Sequence, residues 1–386
     1  MKKIFVLLTI AVSLFSCGNG RKTTVREEGD TLSFKYARLI EVVRYADHTE
    51  VNIKNPWKEG KTLHRYYFVP SAETTQQAVD DGMTLVRVPL QRSVVFTSVH
   101  AALLGQLDAG SQVTGVADLK YMKVPYIQEG VKAGRIIDCG DGMSPVIEKI
   151  IDADADAILL SPFENSGGYG KLEDIDIPLI ECAEYMEQSP LARAEWIRFY
   201  GMLYGHEREA DSLFAIVDSS YHALKEMVKT STTMRSVLMD KQTGSVWYVP
   251  GGQSTIGQML SDARCVYPFA SDKRSGSLAM PFESMLEKCG EADVWLFRYD
   301  APQPITRKQL LSEQPGYKQL NPAKTGELYG CNVTTSMFYE ESPFRPDLLL
   351  QDFIQILHPD ITNLPPLRYY HKVGPTPTLP RGGSLE

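Results

Sequence analysis

Arg208–Thr230 reads READSLFAIVDSSYHALKEMVKT. Ala210, Leu213, Val217, Tyr221, Leu224 and Val228 recur at spacings of three and four, which puts them on one face of a 3.6-residue period. No Gly or Pro interrupts the run. Gly205 stands before it as a helix end, and the Ser/Thr run Thr230–Thr233 closes it. The stretch predicts one long helix at the centre of the chain. The plainer alternative is a helix packed inside a single large domain.

The segments on its two sides resemble each other. RSVVF (Arg92–Phe96) and SPVIEKIIDADADAILL (Ser144–Leu160) come before it; RSVLM (Arg235–Met239) and MPFESMLEKCGEADVWLF (Met280–Phe297) come after it. Arg92 and Arg235 are 143 residues apart, Glu148 and Glu283 135. This pattern predicts two similar α/β halves joined by the long helix. Short apolar runs alternate with helical spacing in both halves, so each should hold a parallel sheet. In the first half the strands are Val94–Phe96, Val113–Val116, Ile136–Asp138, Ala157–Leu160 and Pro178–Glu181; the helices are His100–Leu107, Pro145–Asp152 and Leu191–Tyr204. In the second half the strands are Ser236–Met239, Val246–Val249 and Val294–Phe297, and the helices Thr255–Asp262, Phe282–Lys288 and Asp347–Leu357.

The chain divides accordingly. Lys2 and Lys3 precede an apolar run of 12, Ile4–Phe15, which is too short to span a bilayer and reads as an export signal. It ends in Leu14-Phe15-Ser16-Cys17, which resembles a bacterial lipobox. That resemblance implies cleavage after residue 16, lipidation of Cys17 and an extracytoplasmic protein held at a membrane by lipid alone. Residues 17–30 read as a tether and 31–205 as an N-terminal lobe opening with a β-rich extension. Residues 206–230 form the connecting helix and 231–364 the C-terminal lobe; the Pro/Gly-rich 365–386 read as a disordered tail.

Composition narrows the function. With 386 residues, a net charge of −8 and no basic cluster, a nucleic-acid binder is excluded. Nineteen Tyr, fourteen Phe and four Trp suit contact with a flat or greasy ligand as well as a core. No P-loop, HExxH or GxSxG motif is present. Asp152-Ala153-Asp154-Ala155-Asp156 lacks the Gly of a calcium loop and runs into a buried strand. Besides Cys17 there are five cysteines, an odd number without CxxC, so at least one stays free and no disulfide framework can be read.

Residues 86–359 resemble the class III periplasmic binding proteins, which serve ABC importers of ferric siderophores, haem and cobalamin. The resemblance is carried by RSVVFTSVHAALLGQLDAGSQVTGV (Arg92–Val116), GDGMSPVIEKIIDADADAILL (Gly140–Leu160), IRFYGMLYGHEREADSLFAIV (Ile197–Val217), GGQSTIGQMLSDA (Gly251–Ala263) and PFESMLEKCGEADVWLF (Pro281–Phe297). Two departures stand out. Residues 18–85 have no counterpart in short family members, and the usual Pro-Asp is Ala155-Asp156 in one half and Ala292-Asp293 in the other.

The resemblance implies two Rossmann-like lobes on a rigid helix, a ligand in the cleft between them and no resident cofactor. It implies a monomer whose partners are a metal chelate and an ABC permease, and Glu148 and Glu283 are its implied docking carboxylates. Open α/β sheets bind ligands past their strand ends. The candidate contacts are therefore Ser98, His100, Tyr121, Phe163, Glu164 and Asn165 in the first lobe. In the second they are Trp247, Tyr248, Arg298, Tyr299, Phe338 and Tyr339. Aromatic rings would stack on a planar chelate, Arg298 would pair a ligand carboxylate, and His100 would contact a haem iron or a cobalamin. The expected cargo is a ferric siderophore or haem, with cobalamin as the alternative. A chelatase-like enzyme or a structural surface lipoprotein stands as the reading from a different class.

Overall fold

The computed structural model describes residues 29–72, 82–164 and 168–374. The signal segment, Cys17, nearly all of the tether and Asn165 lie outside the described residues.

The central helix forms as its periodicity requires, over Glu207–Met227, and tightens into a 3-10 turn at Val228–Thr230. Gly205 ends the preceding helix at φ 74°, a left-handed conformation that costs a glycine nothing. At 1.5 Å per residue the 21-residue helix is about 32 Å long. Its apolar face passes from one core to the other. Ala210 packs in the core of the first lobe; Phe214, Val217, Tyr221, Leu224 and Val228 pack in that of the second. The contact with the preceding helix is close enough to require glycine, since a Cβ on Gly201 would lie 2.4 Å from that of Ala210.

The first-lobe sheet is fully parallel. Its order is Leu179–Glu181, Ala157–Leu160, Ser93–Val95, Val113–Val116, Ile137–Asp138. Ala157–Leu160 is buried throughout, as a strand covered on both faces must be. In the second lobe Val237–Met239, Val294–Tyr299 and Leu328–Asn332 run parallel. Leu328–Asn332 is a strand the periodicity did not reveal.

Three expectations need correction. Val246–Pro250 does not join a parallel sheet. It pairs antiparallel with Gln242–Thr243 and Ser277–Met280, because Gly244 at φ 60° lets the chain double back in a two-residue hairpin turn. The helix expected over Leu191–Tyr204 is two helices, Pro190–Glu195 and Ile197–Tyr204, meeting at Trp196. The indole nitrogen of Trp196 donates to Glu187 at 2.9 Å.

The third concerns the C-terminal tail, which is ordered as far as it is described. Tyr370–Lys372 adds an antiparallel edge strand to Leu328–Asn332. The buried carboxylate of Asp352 accepts the backbone N–H groups of Arg368, Tyr369 and Tyr370 at 2.7, 2.7 and 3.0 Å. Tyr369 and Tyr370 are buried with it.

The β-rich extension is a five-stranded sheet in chain order: Asp30–Leu32, Ile40–Arg44, Thr49–Lys54, Thr62–Pro70 and Thr84–Val88, with only the last pair parallel. It shares a core with the first lobe, where Val42, Ile53, Phe68 and Val86 pack with Val95, Leu103 and Phe199. Five consecutive backbone N–H groups of its loop wrap two buried carboxylates. Lys35, Tyr36 and Ala37 donate to Glu195, and Arg38 and Leu39 donate to Glu187, at 2.7–3.1 Å. The Tyr36 hydroxyl then reaches Asp218 and His222 on the central helix, at 2.7 and 2.8 Å.

Candidate functional site

Each lobe opens a cavity at the carboxyl ends of its parallel strands. In the first lobe the strand Ser93–Val95 ends in Phe96 and Thr97. The Thr97 side chain accepts from the His100 N–H at 3.2 Å and so starts the helix Ser98–Gln106. Phe96, Leu160, Ile147, Leu172 and Phe163 give the cavity a greasy wall, and Thr97, Asp118, Tyr169 and Lys171 give it polar points. Its volume is about 500 Å³, in the range of small-molecule sites. Met143 projects at its rim, 79% exposed.

The second-lobe cavity, about 300 Å³, is polar. Asp240, Lys241, Thr243, Tyr248, Arg298, Tyr299, Asp300, Val333 and Tyr339 line it. Lys241 pairs with Glu313 at 2.6 Å, and Thr334 donates to Asp300. The Arg298 guanidinium lies over the rings of Phe338 and Tyr339, 5.8 and 6.0 Å from their centroids. Burial alone would lower its pKa; the facing Asp240 outweighs that and holds the charge firmly in place. The two lobes also touch, where the Lys123 ammonium donates to the carbonyl of Val333. The short helix Phe338–Glu341 packs on Ser98–Gln106.

The expected contacts separate into groups. Phe163, Tyr248, Arg298, Tyr299 and Tyr339 line one of the two cavities. Tyr121 is exposed just past the strand Val113–Val116, with the Lys120 ammonium 4.9 Å from its ring centroid. Glu164 is exposed beside Phe163, and Ser98 is half-buried in the first turn of its helix.

Others point away from the cavities. His100 is fully buried with Nε2 3.2 Å from Glu184 Oε1, because its position in the helix turns the ring inward against Tyr200. Trp247 is fully buried, donates to the carbonyl of Met239 at 2.9 Å and packs against Trp295 and Tyr317. Phe338 is buried beneath Arg298, with Tyr369 at 5.6 Å. The role given to Arg298 changes too, since Asp240 already takes its fork through Nε and Nη2, at 2.8 and 2.6 Å.

Sequence reasoning missed Met143, Tyr169, Lys171, Asp240 and Lys241. Asp240 and Lys241 directly follow a predicted strand and so were findable by the rule applied elsewhere. Met143 and Tyr169 sit in glycine-rich turns that carry no such signal.

Glu148 and Glu283 are both exposed in the first turn of a short helix, Ile147–Asp152 and Phe282–Cys289 respectively. Among the described residues no group of three or more His, Cys, Asp or Glu is gathered to hold a metal ion. Nor is any helix among them long and apolar enough to cross a membrane.

The comparisons agree with this architecture. An uncharacterized lipoprotein of Methanocaldococcus jannaschii is 25% identical over 359 residues, covering 87% of this chain and 84% of its own. A periplasmic heme binding protein from Pseudomonas aeruginosa superposes with a TM-score of 0.57 at 14% identity, over 74% of this chain and 99% of its own. A possible iron-binding, periplasmic solute-binding protein from Staphylococcus epidermidis gives 0.54 at 18% identity, over 70% and 99%. The family profile described as periplasmic binding protein matches residues 94–333, which include most of both lobes' parallel strands, the central helix and all the cavity-lining residues named above but Tyr339; the chain belongs to the periplasmic binding protein family.

Proposed function

We propose that this protein is a lipid-anchored receptor that captures an iron chelate, a ferric siderophore or haem, between its lobes and delivers it to an ABC permease. The observation that carries the reading is the placement of exposed aromatic and thioether side chains. Tyr121, Met143, Phe163, Tyr248 and Tyr339 are each 44–79% exposed; four of them follow the carboxyl ends of sheet strands, and Tyr248, on the strand Val246–Pro250, lines the second-lobe cavity. Large apolar side chains gathered in water mark a binding surface. A greasy first-lobe cavity and a polar second-lobe cavity suit a ligand with a flat apolar part and a polar edge. The similar folds named for heme and iron binding support that choice of cargo.

Cys17 carries the lipid in this reading, as the likeness to named lipoproteins supports. Glu148 and Glu283, at matching positions of the two lobes, meet basic pockets on two permease subunits. The cargo is tested by titrating the protein with haemin, followed by its absorption spectrum, and with ferric siderophores and cyanocobalamin by calorimetry. Saturable one-to-one binding of haemin or a siderophore at micromolar concentration or below is expected. Binding of cyanocobalamin alone overturns the iron assignment, and binding of none overturns the cargo class. For docking, cells carrying Glu148→Arg with Glu283→Arg should lose uptake while the purified variant still binds; undiminished uptake refutes the docking role.

A further inference from the structure

The extension reaches the first-lobe cavity through a chain of side chains. His64, on the strand Thr62–Pro70, brings Nδ1 to 2.8 Å from Glu181 Oε2. The other Glu181 oxygen accepts from the Tyr169 hydroxyl at 2.6 Å, and Tyr169 lines the cavity. Every other hold on His64 comes from within the extension. Its Nε2 lies 2.7 Å from Thr84 Oγ1, and its ring stacks on Tyr66 with centroids 4.4 Å apart and planes 13° from parallel. Tyr66 ties the same strand end, accepting from the Glu181 N–H at 2.8 Å and donating to the carbonyl of Leu179 at 3.1 Å. The Glu181 side chain is only 10% exposed and that of His64 27%. This carboxylate therefore has little water to turn toward if either partner is lost.

We infer that the extension is part of the ligand site: His64 is a positioning residue that, through Glu181, fixes the Tyr169 ring in the wall of the first-lobe cavity. The effect on cargo rests on the receptor reading; the positioning itself does not. Without His64, Glu181 keeps one strong partner and gains freedom to rotate, and the Tyr169 hydroxyl follows it. The cavity wall loosens and a ligand must order it on binding, which weakens affinity. Shorter chains of this fold lacking such a sheet would have to hold this wall by other means.

The test places 3-fluorotyrosine at position 169 of the full chain and records its fluorine resonance without ligand. His64→Leu, which keeps bulk but removes both ring nitrogens, should shift the resonance, and Glu181→Gln should shift it in turn. His64→Gln, which retains a side-chain donor, should restore part of the wild-type position. Thermal unfolding of each variant reports its stability separately. A His64→Leu variant that unfolds earlier yet leaves the resonance unmoved reduces His64 to a structural residue and overturns the inference. With whichever of haemin or a ferric trihydroxamate binds the wild type, His64→Leu should weaken binding by about fivefold, the worth of one ordinary hydrogen bond. In a Tyr169→Phe background the same change should have no effect; an equal loss there also overturns the inference. If neither probe binds the wild type, the choice of iron chelate as cargo fails, while the fluorine shift still decides the positioning.

Discussion

Arg298 and Asp240 meet side-on, Nε to Oδ1 at 2.8 Å and Nη2 to Oδ2 at 2.6 Å, in the wall of the second-lobe cavity. A fork held this way is not free to take a ligand carboxylate with the same face. The pair therefore sets the charge that the cavity shows to its ligand. Asp240→Asn removes the countercharge and leaves the guanidinium facing the cavity. Anionic chelates should bind this variant more tightly than the wild type in calorimetry, while an uncharged ferric trihydroxamate should bind equally. Stability should fall by about 1–2 kcal/mol, less than for a fully buried pair, because the Arg298 side chain keeps 32% exposure.

Glu195 is the keystone of the join between extension and first lobe. It is 1% exposed and accepts the N–H groups of Lys35, Tyr36 and Ala37. Glu195→Ala leaves three donors without an acceptor and should lower the unfolding free energy by about 3 kcal/mol, read from the urea midpoint. Glu195→Gln, which keeps one acceptor oxygen, should cost clearly less. Equal losses would mean that side-chain volume, not hydrogen bonding, holds the loop.

Asp218 supplies a pH dependence. Burial pushes its carboxyl up, but the hydrogen bonds from Tyr36 and Lys35 outweigh that and leave it below its ordinary 3.8. A carboxylate depressed in the folded state stabilises the protein fully above the unfolded value, and that contribution is lost as pH falls through the folded value. The urea midpoint of the wild type should therefore exceed that of Asp218→Asn at pH 6. The gap should close progressively below about pH 4. A gap unchanged down to pH 2.5 would show that Asp218 acts without its charge.

The described cysteines are all free, and burial raises their thiols: Cys139 and Cys289 to about 11, Cys265 and Cys331 to about 12, and Cys182 well above the ordinary thiol value. The thiolate is the reactive form, so these groups should be nearly inert in the folded protein at neutral pH. With Cys17 replaced by Ser, an aromatic disulfide reagent should release almost no chromophore from native protein. It should count five thiols once the chain is unfolded in guanidinium.

Sequence and structure divide the account of this protein along a physical line. What depends on periodicity and on order along the chain was legible in the sequence. The apolar face from Ala210 to Val228 needs only a 3.6-residue repeat, and it set the central helix within a residue of its start. Ala157–Leu160 and Val113–Val116 appear as strands with the bounds their apolar runs gave. The matching halves around the helix gave two lobes, and the motifs within them carried the resemblance to the family. What depends on side-chain direction was decided by the tertiary structure. His100 follows a strand end as cavity residues do, and Trp247 adjoins the cavity-lining Tyr248 on its strand, but their rings turn inward to Glu184 and to the Met239 carbonyl. Arg298 lines the second-lobe cavity, yet its partner Asp240 lies 58 residues away along the chain. The tail looked unstructured because it is rich in Pro and Gly, but in its described part the buried Asp352 supplies acceptors for three consecutive N–H groups. No spacing rule reports that His64, Glu181 and Tyr169 meet, because each stands on a different segment. A periodic pattern is a local property that one element satisfies alone, whereas a site is an agreement among distant residues that only the folded chain brings into contact.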